Sequence, residues 1–491
     1  MKDSFTKLLA FLCLLVLLFN QCRNSDIHSV QYIHRTPSIQ PDYTDITLPP
    51  NIAPLNFKIL EEADRYHVVI KSTNHDSIEL RSTSPIIQIS TKKWRQLLSR
   101  NKGEPLVFEI YIQQQQEWKR FDKIINTIAT ESVDPFLAYR IFNPAFYLWK
   151  KMGIFQRDVQ SFEEKPILRN TELSICLNCH SFCNQETSHW SLHLRYSKGG
   201  MLLTQKDRVV NVDTRSEINP SLAAYTSWHP SGELIAFSTD KVKQFFHSTN
   251  EIRDVIDLSS DLFFYTPSTN KVTTFPQISS PNHMETLPVW SPDGSYLYFC
   301  SAAQIDPDVD FKEQYRNIKY DLMRIKYNLS THTLGKLETV LSSSNLQKTF
   351  SHPKISPDGK FLMYCEADYG YFTIYRPECD LYLLNLETNE RSRLALNSNQ
   401  TDSYHSWSSN SRWIVFSSKR EDGIYTRLYF SYIDDKGIAH KPFILPQEDP
   451  TFYDRFLWIY NVPELITKPV QQTERELVEK ARAGEEVIKV Q

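Results

Sequence analysis

Apolar and polar residues alternate along this chain with a period near two far more often than with a helical period. Between about Ile52 and Thr130, the runs Arg65 to Lys71, Ser77 to Arg81, Ile86 to Ser90 and Leu106 to Gln113 predict strands. Thr91 to Arg100 predicts a short helix between them. The simplest arrangement for 51–131 is a small β-sandwich, immunoglobulin-like or fibronectin-like, with no legible function. Residues 132–190, including the aromatic run Phe142 to Trp149, read as a helical or irregular connector.

A repeat follows. Trp228-His-Pro-Ser-Gly-Glu-Leu-Ile-Ala-Phe-Ser, Trp290-Ser-Pro-Asp-Gly-Ser-Tyr-Leu-Tyr-Phe-Cys, Ile355-Ser-Pro-Asp-Gly-Lys-Phe-Leu-Met-Tyr-Cys and Trp407-Ser-Ser-Asn-Ser-Arg-Trp-Ile-Val-Phe-Ser share one pattern: an apolar anchor, a tight turn, then a strand. Asp-Gly suits the turn because glycine accepts a positive φ and aspartate tolerates one. A further strand follows each copy, at Asp261 to Tyr265, Tyr320 to Tyr327, Asp380 to Leu386 and Arg427 to Ile433. With a weaker outer strand this makes about four strands per repeat, the content of a propeller blade. Strand-like runs at Leu192 to Ser197, Met201 to Thr204 and Arg208 to Val212, closed by Phe452 to Tyr460, predict a ring of about five blades, or six, over 191–465. The charged residues 466–491 read as an exposed tail. The fold class is therefore mainly β.

Composition narrows the function. The net charge of −3 gives no electrostatic footprint for nucleic acid. Only 12 glycines are present, and GxGxxG, Walker A, GxSxG and HExxH motifs are missing from the sequence. At the N-terminus, Lys2 and Lys7 form a short positive region before the apolar run Leu8 to Phe19, which is too short to span a bilayer and suited to a signal peptide over 1–21. Cys22 stands where a lipoprotein signal places its acylated cysteine, although Phe19-Asn20-Gln21 is not the small-residue stretch the peptidase prefers. Residues 22–50 read as a flexible tether. An exported protein of the bacterial periplasm or outer membrane is expected, attached to the membrane only through a lipid on Cys22.

The Ser-Pro-Asp-Gly repeats resemble the WD-like repeats of TolB-type β-propellers over roughly Trp228 to Ser418. The wider stretch 135–465 resembles an exported bacterial family in which a CxxCH motif immediately precedes a TolB-like propeller. The matching segments are Asp134-Pro-Phe-Leu-Ala-Tyr-Arg, Cys176-Leu-Asn-Cys-His-Ser-Phe and Tyr404-His-Ser-Trp-Ser-Ser-Asn. The resemblance implies the propeller and says little about biochemical role.

Cys176-Leu177-Asn178-Cys179-His180 is a c-type haem attachment signature: two thiols for the vinyl groups, then a histidine for the iron. If one covalent c-type haem is held there, His193 is the leading sixth ligand, ahead of His189 and Met201. Other chemistries fit the same residues. Cys176 and Cys179 could pair as a disulfide, Cys183 could be the partner of either, or Cys176, Cys179, His180 and Cys183 could form a zinc site.

Elsewhere the bland reading dominates. Trp228, Trp290 and Trp407 are expected to pack between blades. His229, His352 and His405 are expected to make structural hydrogen bonds, and Asp293 and Asp358 to serve the turns. Cys300 and Cys365 occupy equivalent positions and are read as small buried hydrophobes. The leading function is an envelope binding or scaffold protein for a protein, peptide or glycan. The alternative is a periplasmic c-type electron carrier. No ordinary enzymatic activity is expected, and the hydrolase reading lacks a nucleophile elbow.

Overall fold

The computed structural model describes residues 30–490 except 75–76, 145–150, 172, 174–175, 196–198, 207, 246–252, 307 and 483–486. The signal segment and the lipidation site Cys22 lie outside the described residues. The protein is mainly β.

The N-terminal part builds one seven-stranded sheet around Pro105–Gln114, which pairs with Arg65–Lys71 on one edge. Its other edge pairs with Ile124–Ile128 and Glu117–Phe121 in turn. A three-stranded sheet, Ile39–Gln40, Phe57–Ile59 and Ile86–Ile87, and the helix Thr91–Arg100 share its core. The stretch expected as a tether is anchored from residue 30 onward. Val30–Ile33 adds in parallel to Glu117–Phe121, and Tyr43, Ile46 and Leu48 are buried. Anchoring follows from these apolar side chains, which composition alone had averaged away.

Six antiparallel sheets follow among the described residues. Sheet 1 combines Ile459–Ile466 with Phe136–Phe142, Gly153–Asp158 and Glu164–Arg169. Among its described residues the connector expected at 132–190 is therefore largely strand, and 145–149 of the expected aromatic run lie outside the described residues. Sheet 2 runs Cys176–Cys183, Glu186–Arg195, Gly200–Gln205, Arg208–Asp213, with Ile488–Lys489 added in parallel at its edge. Sheets 3 to 6 begin with Ala224–Trp228, His283–Trp290, Thr349–Ile355 and Asp402–Trp407. Each of these first strands lies against the first strand of the next sheet. The series returns on itself where Ile459–Ile466 meets Cys176–Cys183.

The turns explain the repeat. Ser291 Oγ donates to Asp293 Oδ1 at 2.5 Å and accepts from the Tyr296 amide at 2.9 Å, while Gly294 takes φ +72°. Ser356, Asp358 and Gly359 repeat this arrangement. In sheet 3 His229 stands where the others carry serine. Its Nδ1 accepts from Ser231, and its Nε2 donates to the Gly294 carbonyl at 3.2 Å, tying sheet 3 to the turn of sheet 4.

The C-terminal residues are not an exposed tail. The helix Glu474–Arg482 buries Leu477, Val478 and Ala481 against sheets 1 and 2, and Glu474 pairs with Arg169 at 2.6 Å. Its apolar residues recur at helical spacing between charges.

Candidate functional site

The pairing registers reveal a feature common to all six inner strands: each carries one extra residue. In sheet 3 the register shifts between Ala224 and Ser227, and in sheet 4 between Thr286 and Val289. The shifts of sheets 5 and 6 fall between Ser351 and Lys354 and between Ser403 and Ser406. Sheet 2 shifts between Leu177 and His180, and in sheet 1 the extra residue belongs to the pair Val462-Pro463. Tyr225, Leu287, His352, Tyr404 and Val462 have φ between +45° and +56°, a left-handed conformation that costs a non-glycine residue about 1–3 kcal/mol. Such bulges re-aim side chains and release a ladder N–H. That release explains why Pro288, Pro353 and Pro463 are tolerated on inner strands.

Together the bulges line a common space. A central cavity of about 640 Å³ is bounded by Cys179, His180, His352, Lys354, His405 and Glu464, among others. On one side it meets a vestibule of about 1210 Å³ bordered by Trp228, Trp290 and Trp407. On the other side lies an inner cavity of about 1080 Å³, which shares Cys179, Tyr225, Tyr404 and Val462 with the central one. The tryptophans are packed as expected, since Trp290 meets Phe264 and Tyr327, yet their edges also form the vestibule wall.

The central cavity is unusual in its polar groups. By register His180, Lys354 and Glu464 occupy equivalent positions on three strands. The His180 side chain is fully buried, both its ring nitrogens lack partners, and its Nε2 lies 3.8 Å from Glu464 Oε2, beyond hydrogen-bonding reach. Burial, with the charges of Arg140 and Lys354, pushes the His180 pKa down to about 3. Burial raises the Glu464 carboxyl to about 7 despite Lys354. His352 packs edge-on to Tyr404 at 4.4 Å, and neither ring nitrogen has a partner. The structural hydrogen bonds expected of the three histidines hold for His229 and for His405, which donates to the Met363 carbonyl at 3.1 Å. They do not hold for His352.

The CxxCH residues separate. They lie on a bulged strand, and Cys176 and Cys179 both border the inner cavity. His180 opens to the central cavity, which Cys176 does not reach. Cys176 and His180 therefore line different but adjoining cavities, and Cys179 borders both. His193 sits on the neighbouring strand opposite the bulge, where the other sheets place Phe237, Phe299, Tyr364, Phe416 and Tyr139. It is buried, borders none of these three cavities, and has a pKa pushed down to about 3 by burial. His189 packs on Trp228, and Met201 lies in the core between sheets 2 and 3. Cys176, Cys179 and Cys183 are free thiols, and Cys183 is turned into that same core. No cluster of three or more potential metal ligands occurs among the described residues. Cys300 and Cys365 are free and fully buried.

Sequence reasoning missed Arg140, Arg195 and Arg253, which border the inner cavity, and Lys354 and Glu464 of the central one. A signal existed. Tyr225-Thr-Ser-Trp, Leu287-Pro-Val-Trp, His352-Pro-Lys-Ile, Tyr404-His-Ser-Trp and Val462-Pro-Glu-Leu are register-equivalent tetrapeptides, and Asn178-Cys-His-Ser falls in line with them.

No family model and no curated protein matches the chain. Solved structures share its general shape weakly. An ACO/RPE65 chimera covers 85% of this chain and 98% of its own at 7% identity, with a TM-score of 0.40. A chain of a nidogen/laminin complex covers 68% and 100% at 9% identity (TM-score 0.37), and a prolyl endopeptidase covers 70% and 40% at 9% identity (TM-score 0.35). At these levels none carries an argument about this chain.

Proposed function

We propose that the six sheets are blades of a TolB-like β-propeller preceded by a two-sheet β-sandwich, and that the protein is an exported binding protein of the bacterial envelope that receives its ligand in the axial channel. The six successive sheets with neighbouring inner strands support the architecture. The Lys2, Leu8 to Phe19 and Cys22 segment supports export and lipid anchoring. One observation carries the channel: the ring nitrogens of His180 and His352 and Oε2 of Glu464 are buried without partners around one cavity. Buried polar groups are normally satisfied, and each one left unpaired costs about 1–3 kcal/mol. A ligand's polar atoms would complete them. The ligand is a small molecule or the end of a peptide or glycan, bound rather than transformed.

The test is a thermal-shift panel of short peptides, oligosaccharides and small organic acids against the full chain. At least one class should raise the melting temperature of the wild type. Thr226→Phe, which fills the central cavity, should abolish the shift. No shift from any class, or the same shift in the filled variant, would overturn the reading.

A further inference from the structure

Three sulfur-bearing side chains border the inner cavity: Met152, Cys176 and Cys179. Two separate parts of the fold bring them there. Met152 immediately precedes the strand Gly153–Asp158 of sheet 1, while both cysteines lie on Cys176–Cys183 of sheet 2. On a regular strand, residues three apart point to opposite faces. Here the extra residue between Leu177 and His180 breaks the alternation, and Cys176 and Cys179 reach the same cavity. Leu177 borders neither this cavity nor the central one and is fully buried in the core that sheets 1 and 2 share.

Cys176 Sγ lies 3.9 Å from Met152 Sδ. With metal–sulfur bonds of about 2.3 Å, the length of a zinc thiolate bond, two ligands at an angle of about 120° stand about 4 Å apart. The pair therefore already has the spacing of two corners of a trigonal site. Arg195 supplies the charge. It is the cross-strand partner of Cys176 and borders the same cavity. Burial works against its charge, but the fields of Tyr225 and of the Cys176 and Cys179 sulfurs hold its pKa above the usual value. A guanidinium so placed favours both thiolates. It also balances the net negative charge of a monovalent ion held by two thiolates and a neutral thioether. Soft thiolate and thioether donors in such a set select Cu(I). Zinc takes four ligands, and His180 opens to the central cavity while Cys183 is turned into the core between sheets 2 and 3. With a thioether as its third donor, the set is distinct from the clusters of histidine, cysteine and carboxylate that the described residues lack.

We propose that Met152, Cys176 and Cys179 bind one Cu(I) ion at the wall of the inner cavity, as a trigonal sulfur site with Arg195 as its counter-charge. Each thiol gives its proton to solvent as its copper–sulfur bond forms. The copper enters and stays as Cu(I), and nothing is oxidised or reduced. The site goes beyond the central-cavity reading and does not depend on the ligand bound there.

The test offers Cu(I), as its bathocuproine disulfonate chelate, to the full chain kept reduced and free of oxygen. One equivalent should pass from the chelate to the protein. X-ray absorption at the copper edge should show three sulfur neighbours and no nitrogen. Outer-shell changes at metal sites cost about ten- to a hundredfold in affinity, so losing a direct thiolate costs at least about a hundredfold. Cys176→Ser and Cys179→Ser should each show that loss. Met152→Leu conserves volume and so keeps the packing. It should still take one ion, bind it about tenfold more weakly and show two sulfur neighbours. Cys183→Ala, outside the set, should bind as the wild type does. If a serine variant fails to fold, Met152→Leu decides alone, through its affinity and its sulfur count. Nitrogen neighbours, unchanged binding by Met152→Leu, or Zn(II) bound more tightly than Cu(I) would overturn the proposal. So would a Cys176–Cys179 disulfide in protein isolated without reductant from copper-replete cells.

Discussion

His180 Nε2 and Glu464 Oε2 face each other at 3.8 Å across the junction between sheets 2 and 1. Both are buried, and Lys354 shares their layer. Burial moves the Glu464 carboxyl from 4.5 to about 7, so the folded protein favours its protonated form. The sign follows. This contribution to stability is complete below about pH 4.5 and is lost as pH rises through about 7. His180 moves the other way, from 6.5 to about 3, and its neutral form adds stability above 6.5 that is lost on acidification. Glu464→Gln should therefore unfold in urea close to wild type at pH 5 and be more stable at pH 8, by about 1–3 kcal/mol. A gap of the same size at both pH values would refute this account of Glu464.

The docked C-terminal helix makes a second prediction. Leu477 is fully buried against sheets 1 and 2. Leu477→Ala should destabilise the protein by about 2–4 kcal/mol in urea unfolding. Removing 473–491 should lower the melting temperature further, because the parallel pairing of Ile488–Lys489 with sheet 2 is lost as well. An exposed tail would give no loss in either experiment.

The turns were legible because Ser-Pro-Asp-Gly encodes a specific φ and a specific side-chain hydrogen bond, and both occur at Ser291–Gly294. Sheets 1 and 2 were harder to read for the opposite reason. Their turns lack that code, and sheet 1 is assembled from strands more than 300 residues apart in sequence, joined only by the register of Ile459–Ile466 with Phe136–Phe142. The four overt motifs with the strand-like runs around them predict about five blades, or six, and six sheets follow the N-terminal part among the described residues. The channel residues were missed because a bulge has no composition signature of its own: tyrosine, leucine, histidine and valine all occupy it. Only the alignment of the six tetrapeptides reveals that Cys179 and His180 belong to this repeated bulge. The motif reading weighed them as a haem signature, a disulfide or a zinc site, none of which points to the repeat.

The separation of the two thiols from the imidazole makes a third prediction. Protein matured in a host that assembles other c-type cytochromes should show the unmodified mass of its chain over this segment and no pyridine haemochrome. A haemochrome band that disappears in Cys176→Ser or Cys179→Ser would show that His180 and the thiols rearrange to share one pocket. It would also establish the electron-carrier reading.

Two glycines test whether the turns link neighbouring sheets or merely reverse the chain. Gly294 and Gly359 occupy the same turn position with φ of +72° and +75°. A Cβ at Gly359 would meet nothing within 4 Å, whereas one at Gly294 would fall 2.3 Å from His229 Nε2. Gly359→Ala should carry only the left-handed backbone penalty, about 1–2 kcal/mol. Gly294→Ala should carry the same penalty plus the displacement of His229 from the Gly294 carbonyl, for a total of about 2–4 kcal/mol. Denaturant unfolding of both variants, with and without His229→Ala, measures the difference. In the His229→Ala background the clash is gone, so the two glycine substitutions should converge. A gap that persists there would mean that the inter-sheet contact through His229 is not what makes Gly294 the more sensitive turn.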